Sequence, residues 1–475
     1  MDYYGNAGVI WIGDVENKVS SSVGEIITTD EYYVILGLGL TGLSVVRYLK
    51  RKNIRFVVMD TRAEPPGLEA LRSIDTSVPV YLGSFSVETE QLLLEAAAIV
   101  ISPGVSRQQP EIKKALSLGV QVVGDVELFL RDNTKPVIGI TGSNGKTTVT
   151  TLVGKIAESA AVKVCVAGNI GVPVLERLSD EYELYVLELS SFQLESISSG
   201  ALNVACVLNI SEDHMDRYNA LAEYCLAKQR IFWGAKSVVY NLDDRLTQPP
   251  VADGVPRYGF AIGAHKEEGE KKYLLNSSTK SLEVDGRKVL SLEELKMMGL
   301  HNVANALAVL AICDAAALPR DLAIEQLKEF KGLPHRCEWV SDVGGVVFIN
   351  DSKATNVGAA EAAIEGLKES FSSLVLIVGG EGKGADFRQF AQSINQFVSA
   401  LVLIGRDAEL IGQHVQSKVK KVSASTMDDA VKKAFSLSEK HGAVLLSPAC
   451  ASFDMFSGYE DRGNQFRVAV GGLVA

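Results

Sequence analysis

The chain lacks the cysteine pattern of a secreted scaffold. Its six cysteines (Cys165, Cys206, Cys225, Cys313, Cys337 and Cys450) are scattered through 475 residues with no C-x-x-C pair, which excludes a disulfide framework. Most sit in apolar runs, where a free thiol packs as a small hydrophobe. No apolar run reaches the roughly 18 residues that a spanning helix needs. The opening MDYYGNAGVIWIGDVENKV has neither the basic start nor the long apolar stretch of a secretory signal. The expected setting is the cytoplasm, with no membrane partner. Positive charge is also scarce. Lys and Arg number 47 against 58 Asp and Glu, giving a net charge of −11. This argues against wrapping nucleic acid or binding anionic lipid, and leaves room for a local basic pocket that takes phosphate.

What is present is a globular composition, 47% hydrophobic and 22% charged, which excludes disorder as the main state. The length predicts about three domains. Residues 1–30 are irregular and Ser/Thr/Gly-rich, an extension with no assigned role. From Tyr32 onward, short apolar runs closed by glycine or an acid alternate with helical spacing, the unit of a parallel sheet. The runs YYVILGLG, RFVVMD, AAIVISPG and VQVVGDVELFL fill 31–132. A second series fills 133–332 with PVIGI, KVCVAG, LYVLELSS, NVACVLNIS and KSVVYN. It also holds a hairpin-rich stretch at 263–291 and the Ala-rich helix 300–318. A third series fills 333–475 with GVVFINDS, SLVLIVGGEG, ALVLIGRD and GAVLLSPACAS. Nearly every unusual polar cluster follows an apolar run. In open α/β sheets, ligands bind outside the carboxyl ends of strands.

Gly142-Ser143-Asn144-Gly145-Lys146-Thr147-Thr148 lies between an apolar run and a helical pattern. A Gly-rich turn exposes backbone N–H groups, and the following helix N-terminus adds partial positive charge. The lysine would neutralise β/γ oxygens, and the next hydroxyl can ligate Mg²⁺. The position five residues before Gly145 is Ile140, so this is a shortened variant of the phosphate loop. A partner acid is expected at the end of a neighbouring strand, where Glu188 stands. His214, beside Glu212, Asp213 and Asp216, is the next ligand candidate, against a plain core histidine.

Gly37, Gly39 and Gly42 spell G-x-G-x-x-G between a strand-like and a helical stretch, and Asp60 follows about 20 residues on. By pattern alone this is a dinucleotide site, and an NAD-dependent oxidoreductase is one reading. A UDP-sugar carries the same diphosphate, however, and Asp60-Thr61-Arg62 could then face uracil or ribose. The dehydrogenase reading leaves GSNGKTT unexplained. A non-catalytic, nucleotide-gated binding module leaves the cluster around Lys353, Lys383 and Ser452 unexplained.

Taken together, GITGSNGKTT, LELSSFQLE, NISEDHMDRY, AKQRIF, LHNVANALA, LPHRCEW, INDSKATN, GGEGKGADF and SPACASFDMF occur here in the order found in the Mur ligases of peptidoglycan synthesis. The chain closely resembles that family over about 31–475. It is also similar to folylpolyglutamate synthases, which lack the leading domain. The resemblance implies an α/β fold in three domains. These are an N-terminal Rossmann-like UDP-binding domain, a central P-loop ATPase domain and a C-terminal Rossmann-like amino-acid-binding domain. INDSKATN with SPACASFDMF points within the family to ligation of D-glutamate to UDP-N-acetylmuramoyl-L-alanine, another Mur-type amino-acid ligase being the alternative. ATP and two Mg²⁺ ions are implied, as is a monomer.

By the same resemblance, Lys146, Glu188, His214 and Lys228 are catalytic. Thr147, Glu188, His214 and a carbamylated Lys228 are implied as metal ligands. Taken alone, Lys228 reads as a solvated helix lysine. Asn305, Arg336 and Asp351 join the phosphate loop as ATP contacts. Leu40, Thr41, Asp60, Thr61, Arg62, Ser102 and Asn169 match UDP-substrate contacts. Thr355, Lys383, Ser452 and Tyr459 match D-glutamate contacts. Many relatives carry Phe where Tyr459 stands.

Overall fold

The computed structural model describes residues 31–199, 202–215, 217–263, 265, 271–297, 299–330, 332–367 and 371–473. The expectations for residues 1–30 and for Asp216 lie outside them.

Three sheets follow one another along the chain. The first holds β1 (Tyr33–Leu36), β2 (Phe56–Asp60), β3 (Val80–Leu82), β4 (Ala98–Ile101) and β5 (Gln121–Val123), all parallel, in the order 3-2-1-4-5. The second holds β6 (Val137–Thr141), β7 (Val164–Gly168), β8 (Leu184–Glu188), β9 (Val204–Val207), β10 (Val238–Asn241) and β11 (Arg257–Ala261). It continues with β12 (Lys271–Asn276), β13 (Ser281–Val284) and β14 (Arg287–Ser291), in the order 14-13-12-11-10-9-6-8-7. The third holds β15 (Glu338–Val343), β16 (Val346–Asn350), β17 (Leu374–Val378), β18 (Ala400–Ile404), β19 (Lys420–Ala424) and β20 (Ala443–Leu446), in the order 15-16-20-17-18-19.

The central strands are parallel and buried on both faces, so they read as unbroken apolar runs rather than alternating ones. The expected hairpins at 263–291 are β12–β13 and β13–β14, antiparallel pairs at the edge of the second sheet. The run VQVVGDVELFL divides. Its first part is β5, and Asp125–Asp132 is a helix entered through Gly124. Glycine and an acid interrupt the strand there, and Asp125 and Glu127 fall in the helix's first turn, where the dipole favours them.

The third glycine of the first cluster has a steric reason. Gly37 turns the chain at φ +99°, and a Cβ on Gly42 would lie 2.1 Å from the Gly37 carbonyl oxygen. Any side chain there would push the helix Leu40–Arg51 off the turn.

The first two sheets share one apolar cluster that runs from Val46 and Leu49 through Phe129 to Tyr185 and Leu187. Each fully buried side chain of this kind is worth roughly 1.5–3 kcal/mol, so this seam is firmly held. The two clusters flanking the third sheet draw only on residues from 337 onward. That sheet meets the second through polar and glycine contacts instead. A Cβ on Gly366 would lie 2.9 Å from the Gly299 Cα, a backbone-to-backbone approach.

Candidate functional site

The phosphate loop connects β6 to the helix Lys146–Ser159. Gly145 precedes that helix at φ +83°, and a Cβ on it would lie 2.4 Å from Asn305 Oδ1. The loop is braced from β9's end. Asn209 Oδ1 accepts the Asn144 backbone N–H (2.8 Å), and its Nδ2 donates to the Asn144 carbonyl (3.1 Å). Ser143 Oγ donates to the Ser211 carbonyl (2.9 Å) and lies 3.2 Å from the Tyr224 hydroxyl.

Lys146 curls back over the loop, donating to the carbonyls of Gly142 (2.8 Å) and Ser143 (2.9 Å). Lys228, on the helix Leu221–Gln229, donates to the same Gly142 carbonyl at 2.8 Å. It is 1% exposed, which rules out a solvated helix lysine. Burial, then the charge of Lys146, drives its pKa well below the ordinary lysine value. Burial also lowers Lys146, which Glu188 and Asp213 partly counter.

Glu188 closes β8 and is 2% exposed. Its Oε1 accepts the Asn169 side-chain N–H at 3.0 Å, while its buried Oε2 has no partner. His214 follows β9 in a left-handed conformation (φ +57°), with its ring edge-on to Phe192 and its Nε2 3.7 Å from Asp213.

Three cavities surround these groups. A cavity of about 380 Å³ gathers the nucleotide candidates Asn144, Gly145, Thr148, Asn305, Arg336 and Asp351, with Lys353 beside them. Arg336 reaches across from the third sheet to donate to Thr147 Oγ1 (2.6 Å). Asp351 is buried, and burial pushes its carboxyl up to about 7 despite bonds from Ser447 (2.8 Å) and the Cys337 N–H (3.1 Å). Burial, then the Arg336 charge, lowers Lys353 to about 8.

An adjoining cavity of about 440 Å³ shares Ser211, Gly358 and Glu361 with the first, and places Thr355 and Lys383 opposite Asp213 and His214. Ser452 and Tyr459 do not line it. Ser452 is 2% exposed, and Tyr459 instead lies under Lys353, whose Nζ is 3.8 Å from its ring centre.

The third cavity, about 580 Å³, brings together all seven UDP-substrate candidates: Leu40, Thr41, Asp60, Thr61, Arg62, Ser102 and Asn169. Asp60 is committed within the chain. It accepts from the Leu38 N–H (2.7 Å), the Arg62 N–H (2.9 Å) and the Arg62 guanidinium (2.7 and 2.8 Å). Burial alone would raise its carboxyl, but these donors bring it down to about 2. Asp60 therefore holds the glycine turn and aims Arg62.

Sequence reasoning missed Asn209 and Asn356. Asn356 donates to Asp213 Oδ2 (3.2 Å) and approaches Asn144 Oδ1 (3.5 Å), joining the third sheet to the phosphate loop. Their signal was only position: each lies just past a strand end or opens a helix.

Comparison with known proteins agrees with this geometry. The N-terminal domain model of MurD-like Mur ligases matches residues 31–124, the Mur ligase middle domain matches 140–313, and the Mur ligase glutamate ligase domain matches 335–450. The chain belongs to the Mur ligase family. Among curated relatives, UDP-N-acetylmuramoylalanine--D-glutamate ligase of Teredinibacter turnerae is 52% identical, covering 94% of this chain and 99% of the relative. The enzymes of that name from Saccharophagus degradans and Pseudomonas aeruginosa are 54% and 47% identical over the same shares. The fold of this Mur ligase is shared by a pseudomurein peptide ligase type C from Methanothermus fervidus (TM-score 0.60, 20% identity, covering 94% of this chain and 100% of that one). It is shared too by the UDP-N-acetylmuramate-alanine ligase MurC of Thermotoga maritima (TM-score 0.55, 20% identity, 93% and 99%). Family membership favours the ligase over the dehydrogenase reading of the first glycine cluster.

The Asp351 carboxyl gives a pH test. In the unfolded chain it ionises near 3.8, in the folded chain near 7. Between these values the folded state keeps a proton that the unfolded state has lost. Its contribution to stability therefore falls as pH rises across that window, then levels off. Unfolding of the nucleotide-free enzyme followed from pH 4 to 7 should show this slope, and Asp351→Asn should flatten it; an unchanged slope in the variant contradicts the assignment.

Proposed function

We propose that this Mur ligase joins D-glutamate to UDP-N-acetylmuramoyl-L-alanine at the expense of ATP, a cytoplasmic step in building the peptidoglycan precursor. We further propose a division into a UDP-binding part (31–132), an ATP-binding part (133–332) and an amino-acid-binding part (333–475). The observation that carries the reading is the junction of three cavities around one phosphate loop, two of them sharing a wall and the third tied in through Asn169 and Glu188.

The chemistry explains why three sites must meet. A carboxylate does not acylate an amine at neutral pH, because oxide is a poor leaving group. The alanyl carboxylate attacks the γ-phosphorus of ATP, ADP leaves, and an acyl phosphate forms. The D-glutamate amine then attacks the carbonyl carbon, and inorganic phosphate leaves. The first step brings two anions together, so catalysis consists largely of charge neutralisation and alignment.

Lys146 is placed to leave the Gly142 and Ser143 carbonyls for β/γ-phosphate oxygens. Arg336, resting on Thr147, supplies a second cation from the third domain, and Asn305 and Asp351 hold the nucleoside end. Leu40, Thr41, Thr61, Arg62 and Ser102 take the uridine diphosphate, with Asp60 holding Arg62. Thr355 and Lys383 take D-glutamate in the cavity beside Asp213 and His214, since a dicarboxylate needs a cation and a hydroxyl donor. Ser452 and Tyr459, outside that cavity, would support it from behind.

Among the described residues no three His, Cys, Asp or Glu side chains cluster to enclose a metal. Mg²⁺ asks for less: one or two protein oxygens, with water and phosphate completing six positions. The partnerless Glu188 Oε2 and the Thr147 hydroxyl fit that demand, with His214 beside a second position. When bound, Mg²⁺ would neutralise charge on the transferring phosphoryl group. Lys228 fits only in altered form, since a bare ammonium repels a cation. Burial beside Lys146 weakens the hold of Lys228 on its proton, and the neutral amine is the form that adds to CO₂, giving an N-carboxylate and releasing one proton. The resulting oxygens would replace a misplaced charge with an anionic ligand.

Substrate competition, bicarbonate depletion and two variants check these assignments. With D- and L-glutamate offered together, the product should contain only the D-isomer, and Lys146→Ala should abolish phosphate release while remaining folded. Incorporation of L-glutamate, or full activity in that variant, contradicts the reading. Bicarbonate depletion and Lys228→Ala should each lower activity, the variant being partly restored by added short-chain carboxylates; failure of both defeats carbamylation.

A further inference from the structure

Arg217 stands outside every role assigned so far, yet it touches both the UDP cavity and the His214 segment. Its backbone N–H donates to the His214 carbonyl (2.9 Å), so the two residues share one turn. Its guanidinium crosses to the first sheet's side. There Nη1 donates to the carbonyls of Pro103 (3.2 Å) and Gly104 (3.3 Å), and Nη2 donates to that of Val105 (2.7 Å). The same guanidinium lies 4.2 Å from the centre of the Phe192 ring, which also meets the His214 ring. Pro103, Gly104 and Val105 line the UDP cavity, and Asp213 and His214 line the cavity of about 440 Å³ that holds Thr355 and Lys383.

The chain of contacts continues. Val105 N–H donates to the Ser102 carbonyl (2.9 Å), and Ser102 Oγ donates to the Gly37 carbonyl (3.0 Å). One side chain thus links the glycine turn that would hold the diphosphate to the segment that carries His214, beside the proposed second Mg²⁺ position. A planar guanidinium can bond three successive carbonyls and still face an aromatic ring, which a lysine ammonium cannot do with fixed geometry. The joint between the two domains does not depend on it. The shared apolar cluster spans that seam, and Arg107 makes a separate bond to the Glu195 carbonyl.

We propose that Arg217 is a positioning residue for the UDP-linked substrate. By gripping the backbone of 103–105 it fixes one wall of the UDP cavity relative to His214, and so sets where the phosphoryl-accepting carboxylate arrives. This rests on the ligase activity proposed above. It concerns the register between two cavities rather than contact with the reacting atoms.

Steady-state ligation by the wild type, Arg217→Lys and Arg217→Ala, varying each substrate in turn, tests it. Arg217→Ala should raise KM for the UDP-linked substrate by about tenfold or more, the scale expected when hydrogen bonds from a charged group are lost. Arg217→Lys should fall between, and KM for ATP should stay within about twofold of wild type in both. Guanidinium added below denaturing levels should partly restore Arg217→Ala. An unchanged KM for the UDP-linked substrate in both variants overturns the proposal. So does a parallel change in every substrate's KM together with the melting temperature, and so does failure of both variants to fold, because each would make Arg217 a plain structural strut. A wild-type enzyme that does not ligate D-glutamate defeats the activity assignment instead and is read separately.

Discussion

The carbonyl oxygen of Gly142 accepts from two lysines at once, the half-buried Lys146 and the buried Lys228, each at 2.8 Å. Two ammonium groups cannot comfortably share one acceptor away from water, because their repulsion is little screened there. Something must change when the site works. A polyanion drawing Lys146 away relieves one side, and loss of the proton from Lys228 relieves the other. Glu188, with one oxygen lacking any partner, is the complementary deficit. The resting protein therefore carries unbalanced positive and negative groups within one loop and two strand ends. Such imbalance is costly to fold and is what a triphosphate with its cation would settle.

The fold distributes the reactants according to how firmly its parts are joined. The first two sheets share an apolar core, so the UDP cavity and the phosphate loop keep a constant relation. The third sheet has its own core and meets the others through Arg336 to Thr147, Asn356 to Asp213 and the Gly299–Gly366 approach. Polar and glycine contacts of this kind are easier to make and break than a packed core. This would suit the role proposed for the third part, which is to admit nucleotide and amino acid and then close over them. The acyl phosphate must be kept from water, and a closing third domain would do that.

Much of this was legible in the sequence because parallel strands announce themselves as apolar runs and place their loops at one end of the sheet. The phosphate loop, Glu188 and Asp60-Thr61-Arg62 stood out that way, while Asn305, Leu40, Thr41, Ser102 and Asn169 came only from the family resemblance; the fold gathers the last four with Asp60, Thr61 and Arg62 around one cavity. Other features were hidden for physical reasons. Lys228 sits in a helix whose spacing gives no hint of burial, and only the packing against Tyr224 and the loop shows it. Asp60 looked like a ligand contact, and its four in-chain bonds were invisible until the turn was folded. Ser452 and Tyr459 stand in matching motifs, but motif order cannot say which side of a cavity wall a residue occupies. Arg217 and Asn356 act across sheets, and contacts between separately folded layers leave no local pattern.

The central claim is that the sugar-peptide carboxylate takes the terminal phosphoryl group before the amine attacks. It is tested most directly by placing ¹⁸O in the alanyl carboxylate of the UDP-linked substrate and analysing the inorganic phosphate released during ligation. Transfer through an acyl phosphate requires one labelled oxygen to leave with each phosphate formed. Phosphate free of label, with product still accumulating, would contradict the account.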